Sequence, residues 1–273
     1  MNKNKILCIP FLCSLLLLIG INGTAEAQDE DEPPNPFGVI ESYEDPVKAD
    51  SLGVGWTRVR LQWADVQAKD AASWDTETLD EQIDAEIEAG REVVGLLIGI
   101  PAWARDENDL PAGLFLPSDD PENTWAQFVR QAVSRYDGRI NHWIIWNEPD
   151  ISDPDTPGHT WDGDVDEFTQ LLRIAYLVAK ETNPKAVIHL PAITYFWDPD
   201  YLDTFFDALA AMPEAAENGY YFDVATAHLY FQPERVYDLV RLFYDSMECR
   251  GMRARPVWLM ETSARPLYDA YLP

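Results

Sequence analysis

Four apolar stretches of this chain contain or end in polar side chains able to do acid–base or nucleophilic chemistry. The first carries Arg58 and Arg60, and the second runs HWIIW into Asn147-Glu148. The third ends in His228-Leu229-Tyr230, and the fourth runs VWLM into Glu261. An ionised glutamate after such a stretch is costly unless it is paired or sits at a mouth open to water. Two carboxylates on facing strands form the pair that hydrolysis of a glycosidic bond requires. One is held protonated to donate to the leaving oxygen, and the other stays ionised to attack the anomeric carbon. The two environments differ. Glu148 is flanked by Trp146, Asn147 and Pro149 with little positive charge nearby in sequence, so desolvation would raise its pKa. Glu261 would face an arginine of the strand holding Arg58 and Arg60, which would keep it ionised.

Those residues need a scaffold that brings strand ends together. Strand-like runs are read at Phe37–Glu41, Thr57–Trp63, Glu92–Ile98, His142–Glu148, Ala186–Ala192, Phe222–Tyr230 and Val257–Glu261. Several are apolar on both parities, as strands of a parallel sheet covered on both faces should be. Between them lie helical periods. One stripe is Trp125, Phe128, Val129, Ala132, Val133 and Tyr136, with Asp120-Pro121 as its start. A second is Val165, Phe168, Leu171, Leu172, Ala175 and Tyr176. A third is Leu79, Ile83 and Ile87, with Gly90 as its stop. Such stripes are read as core packing. Alternating strand and helix means an α/β fold, and FGVIESYEDP after the first strand offers no glycine-rich phosphate loop. A (β/α)₈ barrel is therefore favoured over a doubly wound sheet. Active sites of such barrels sit at the C-terminal strand ends, where the four polar groups fall. Seven strands are readable and the chain stops twelve residues after the seventh, so the barrel is expected to lack its eighth strand and to expose edges on strands 1 and 7.

Composition narrows the function classes. With 48 acidic residues against 20 basic ones among 273, the formal net charge is −28, the opposite of the basic footprint that nucleic acid needs. The same charge disfavours anionic membranes. A 47% hydrophobic content excludes a disordered chain. Lys3 and Lys5, the apolar run Ile6 to Ile21 and Ala25-Glu26-Ala27 have the layout of a secretory signal peptide spanning 1–27, implying a secreted protein without stable membrane association. Residues 28–36 (QDEDEPPNP) read as an acidic, proline-rich leader, and 37–273 as the barrel. After cleavage Cys249 is the one remaining cysteine, so no internal disulfide is expected.

Taken in order, Trp56-Thr57-Arg58-Val59 with Trp63, Trp146-Asn147-Glu148-Pro149, His228-Leu229-Tyr230 and Trp258-Leu259-Met260-Glu261-Thr262 resemble the strand 2, 4, 6 and 7 motifs of the retaining glycoside hydrolases of clan A. That group includes cellulases and β-xylosidases, and the texture is most similar to the β-xylosidase-like barrels. The resemblance runs from about Phe37 to Arg265. It implies Glu261 as nucleophile, Glu148 as acid/base, Asn147 on the sugar 2-hydroxyl, and Arg58 rather than Arg60 beside the nucleophile. It also implies a substrate contact for His228 and Tyr230, a β-glycan or oligosaccharide substrate, and no cofactor. Family members carry a tryptophan on strand 8, which this chain lacks. The competing reading is a non-catalytic carbohydrate-binding remnant of such a barrel.

Other residues are less telling. Trp63, Trp103, Trp161 and Trp197 lie near strand ends, where they either stack on sugar rings or pack; Trp63 and Trp103 are taken as substrate-binding candidates. Asp162, Asp164 and Asp166 have calcium-loop spacing, but Arg173 stands at the twelfth position, so they read instead as acids at a helix N-terminus. His142 and His189 read as packing or hydrogen-bonding residues, and His159 sits alone in a loop. No cluster has metal-ligand spacing.

Overall fold

Every strand in the computed structural model, which describes residues 35–263 except 196, 197 and 231, pairs parallel to its sequence neighbour. The strands are β1 (Gly38–Ile40), β2 (Trp56–Gln62), β3 (Glu92–Ile98), β4 (Ile140–Ile145), β5 (Val187–His189), β6 (Ala225–Tyr230) and β7 (Val257–Ser263). β1 to β5 form one sheet and β6 and β7 another. Isolated bridges His189↔Val224 and Ile193↔Ala227 carry the order on from β5 to β6. Seven parallel strands in sequential order, with helices in the connections, are the wall of a (β/α) barrel. The signal-peptide segment, all but the last two residues of the leader, Trp197 and the chain after Ser263 lie outside the described residues. Among those described, no helix is long and apolar enough to cross a membrane.

β3 has the limits expected of it. β4 does not: it stops at Ile145, because Trp146 (φ 71°) and Glu148 (φ 48°) take left-handed backbone that ends the pleat. Pairing continues past the break, with Trp146 N–H donating to Leu97 and Glu148 N–H to Ala192. β5 is also shorter than expected. Pro191 has no N–H to give the ladder, and pairing resumes only as bridges at Ala192 and Ile193.

The helices in the connections are α1 (Pro46–Leu52), α2 (Trp63–Val66), α3 (Glu77–Glu88), α4 (Thr124–Arg135), α5 (Val165–Thr182), α6 (Tyr201–Ala211) and α7 (Val236–Cys249). α4 starts at Thr124, four residues after Asp120: Asn123 caps it by accepting from Ala126 N–H at 3.0 Å, while Asp120 and Pro121 belong to the preceding turn. α5 begins with a capping box in which Asp164 and Glu167 bond each other's backbone, so the aspartate run serves the helix start as expected. In the α3 stripe only Ile83 is fully buried; Ile87 faces water.

The core lies between these helices and the sheet, and within the barrel. Trp125, Phe128 and Val129 of α4 and Phe168, Leu171 and Leu172 of α5 are all essentially inaccessible, each contributing about 1.5–3 kcal/mol on leaving water. Gly95 of β3 pairs with Trp143 of β4, and a Cβ there would lie 2.6 Å from the indole ring. Its missing side chain is what seats that tryptophan. Inside the barrel, Trp258 of β7 meets Trp56, His142 and His189 with ring centroids 5.9, 5.2 and 4.9 Å away, tying β2, β4 and β5 to the last described strand.

Candidate active site

The fold draws Arg58, Glu148, His228, Tyr230 and Glu261 to one place from β2, the end of β4, β6 and β7. Arg58 Nη1 lies 2.5 Å from Glu261 Oε1, and the Tyr230 hydroxyl donates to Glu261 Oε2. His228 stands between the carboxylates, with Nδ1 2.7 Å from Glu148 Oε1 and Nε2 3.6 Å from Glu261 Oε1. One ligand atom from each of Glu148, His228 and Glu261 lies within 4.8 Å of the other two. The Arg58 and His228 side chains are 3% and 1% exposed, whereas those of Glu148 and Glu261 are 16% and 13% exposed. The partners are thus fixed in the interior while the carboxylates reach the solvent side.

A bulge sets the alignment of β6 and β7. Ala227 pairs with Leu259 but His228 pairs with Glu261, leaving Met260 as an extra residue. Without it, His228 would pair with Met260, and Glu261 would lie one residue out of step. On β4 the left-handed turns at Trp146 and Glu148 aim the carboxylate inward. Such conformations persist only where the surroundings hold them. Part of that hold is Thr160, which accepts from Trp146 Nε1 at 3.1 Å and donates to the Asn147 carbonyl at 2.7 Å. Asp150 supplies more: its buried carboxylate accepts from Thr194 N–H, Thr194 Oγ1 (2.5 Å) and Tyr195 N–H, fastening the segment after Glu148 to the loop after β5. Asp150 escapes a reading for reactive groups, since its task depends on partners 44 and 45 residues away.

The electrostatics separate the groups. Burial would raise the Glu261 carboxyl, but His228, Arg58 and the Tyr230 hydroxyl outweigh it and hold Glu261 below the ordinary carboxylate value. Burial and the bond to Glu261 push the Tyr230 hydroxyl far up, so it stays a donor. Burial raises Asp150 despite the bonds from Thr194. Glu148, with no basic side chain near it in sequence, gains His228 as a hydrogen-bond partner from 80 residues away.

Not every candidate is at the centre. Trp63 is fully buried, stacked on Phe128 at 4.7 Å and donating Nε1–H to Gln67. It is a core residue and not a sugar platform, because exposing it would forfeit about 1.5–3 kcal/mol of burial. Trp161, 2% exposed, packs edge-on against Trp146 and Phe168. Trp103 is half-buried with its Nε1–H given to the Gln67 carbonyl. Asn147 is half-buried between Trp146 and Glu148. Arg60 is exposed, away from Glu261's ion pair. His159 is not alone: its nitrogens lie 2.7 Å from the Ile151 carbonyl and 3.2 Å from Asp162.

Glu148, His228 and Glu261 are, among the described residues, the group with the donor atoms and spacing to hold a metal ion, which their sequence spacing does not reveal. The Arg58 guanidinium already occupies one Glu261 oxygen and its charge opposes a second cation there. Two close carboxylates, one pinned ionised and one free of arginine, fit proton transfer paired with nucleophilic attack.

No family model matches the chain, and no curated protein matches its sequence. Solved structures do match. A glucosidase from Croceicoccus marinus superposes with a TM-score of 0.59 at 16% identity, over 81% of this chain and 48% of that one. A monomeric β-xylosidase from Caulobacter crescentus gives 0.57 at 16%, over 81% and 48%. A xylanase from Paenibacillus barcinonensis gives 0.53 at 14%, over 82% and 71%. The chain therefore has the barrel fold of these glycoside hydrolases and spans about half the length of the first two.

Proposed function

We propose that the chain is a retaining glycosidase, with Glu261 as nucleophile and Glu148 as acid and then base. The observation that carries this reading is the spacing of the two carboxylates. Their facing oxygens lie within 4.8 Å, on the side of the about 5–5.5 Å separation of retaining sites and well short of the about 6.5–9.5 Å of inverting ones. Glu261 Oε attacks the anomeric carbon while Glu148 gives its proton to the departing glycosidic oxygen. The C–O bond breaks and a glycosyl ester on Glu261 forms. Water then adds from the Glu148 side, losing its proton to Glu148 and freeing Glu261.

Arg58 and Tyr230 keep Glu261 ionised and aimed, and His228 holds the two carboxylates in register. Asn147, between the two left-handed residues, takes the sugar 2-hydroxyl. The substrate is a β-glycan or its oligosaccharides, in keeping with the fold shared with a glucosidase, a β-xylosidase and a xylanase. The basic, apolar and small-residue layout of 1–27 supports action outside the cytoplasm. Proton NMR of the first-formed sugar from an aryl β-xyloside or β-glucoside tests the mechanism. The β-anomer should appear first and mutarotate later; initial release of the α-anomer would refute a nucleophilic Glu261.

A further inference from the structure

Beside the carboxylates lies a cavity of about 310 Å³, lined by Arg60, Gln62, Arg105, Trp146, Thr160 and Trp161 among others. Its place follows from strand geometry. Arg58, Arg60 and Gln62 share one face of β2, since side chains alternate along a strand. Arg58 touches Glu261, so Arg60 stands one residue pair further toward the C-terminal mouth, about 7 Å along the strand. On the other wall Trp146 immediately precedes Asn147-Glu148. The cavity is thus the next position along the cleft from the reacting carboxylates.

The lining is chemically specific. Trp146 and Trp161 are 1% and 2% exposed and packed on each other, so they give the cavity a rigid wall rather than a stacking platform, their indole N–H groups going to Thr160 and to the Asp164 carbonyl. The Gln62 amide offers both a donor and an acceptor suited to hydroxyls, whereas the Thr160 hydroxyl is engaged by Trp146 and the Asn147 carbonyl. Gly99 (φ 81°) seats the Gln62 amide, which a Cβ would meet at 2.2 Å. Arg60 is exposed in this wall, and among the described residues no carboxylate pairs with it. Arg58, Arg91, Arg105, Arg130, Arg135, Arg139 and Arg250 pair with acids, whereas Arg60, like Arg173, Arg241, Arg253 and Arg255, does not among the described residues, and of these it is the one that lines the cavity. Arg105, the second cation of the lining, is held by Asp109 at 3.0 Å and by the Ile100 carbonyl at 3.1 Å. Asp162, the acid of the lining, lies 3.2 Å from His159.

We propose that this cavity is a subsite for a carboxylate-bearing sugar, a uronosyl unit, with Arg60 as its anion-binding residue. The Gln62 amide takes the sugar's hydroxyls, and the planar guanidinium takes the carboxylate through paired N–H bonds. A molecule of net charge −28 repels anions in general, so an unpaired arginine inside the cleft selects for one placed by the rest of the sugar. This rests on reading the cleft as a carbohydrate site, and it names the acidic class of glycan.

The test is calorimetric titration of the full chain carrying Glu148→Gln, which suppresses turnover, with xylotriose and with xylotriose bearing a glucuronosyl branch. The acidic oligosaccharide should bind about tenfold more tightly, the preference shrinking as salt rises from about 0.05 to about 0.5 M. Arg60→Gln added to that protein should bring the preference close to one, and Arg60→Lys should keep part of it. Equal binding of the two probes, no binding of either, or a preference that survives Arg60→Gln would overturn the subsite. Arg60 is exposed, so a thermal melt matching the parent certifies the fold. Wild-type turnover of neutral β-glycosides is read separately. Turnover without the acidic preference removes only the subsite, whereas the acidic preference without turnover of any glycoside removes only the hydrolase.

Discussion

At the scale of single residues, Glu148 and Glu261 are two copies of one side chain made different by their neighbours. Glu261 is pinned by Arg58 and Tyr230, while Glu148 meets only His228 by side-chain bonding among the described residues. Glu261→Ala should abolish turnover on every substrate, since no other group forms the ester. Glu148→Ala should cost about 10²–10⁴-fold on unactivated glycosides but far less in the first step on aryl glycosides, whose leaving groups need little protonation. Azide should then restore turnover to the Glu148 variant alone; equal and unrescuable losses would contradict the assigned roles. Tyr230→Phe removes one of the bonds that hold Glu261 below its ordinary value of 4.5. Its pKa should rise, so the acidic limb of the activity profile moves to higher pH. A limb unmoved in Tyr230→Phe would mean that the tyrosine does not tune the nucleophile.

At the scale of elements, strand ends and packing decide where those residues stand. The extra residue Met260 on β7 and the left-handed turns closing β4 aim the two glutamates, and Asp150 staples the β4 end to the loop after β5. Deeper in the barrel, His142 of β4 and His189 of β5 touch, Nδ1 to Nε2, at 2.8 Å under the Trp258 ring. Burial holds both imidazoles below their ordinary 6.5. Glu92 and Asp223 pull His142 back up, whereas His142 lowers His189 further. The folded protein therefore binds fewer protons here than the unfolded chain. The stability this pair contributes is present above about pH 6.5 and is lost as pH falls from there through the folded-state values. Thermal melts should show Tm dropping below pH 6.5, with a shallower slope in His142→Gln. An identical slope in that variant would place the titration elsewhere.

At the scale of the whole molecule, a net charge of −28 pulls against compaction. Its exposed ion pairs, such as those of Asp80 with Arg135 and Arg139, contribute only about 0–1 kcal/mol each and weaken in salt. Screening shortens the reach of the self-repulsion from about 30 Å at 0.01 M to about 8 Å at 0.15 M. With the acids outnumbering the bases by more than two to one, relief of repulsion should win. Tm should rise by about 2–4 °C, or ~1 kcal/mol, between about 0.01 and 0.15 M sodium chloride. A fall over that range would show that local pairs outweigh the global field.

The amino-acid sequence by itself determined the order of strands and helices, because apolar period and turn chemistry are local. It also set the polar groups that close β4, β6 and β7, because an ionisable residue following an apolar run is conspicuous within a few positions. The length of β4 and the burial of Trp63 were decided in the tertiary structure. Each depends on what lies opposite: Leu97 and Ala192 against the turns of β4, Phe128 and Gln67 against the indole. The same is true of the pairing of Arg58 rather than Arg60 with Glu261, of His228 between the carboxylates and of Asp150 under Thr194. Side chains 203, 80 and 44 residues apart meet only because parallel strands in a barrel bring their C-terminal ends together. A bulge of one residue, invisible in any local pattern, then decides which of them face each other.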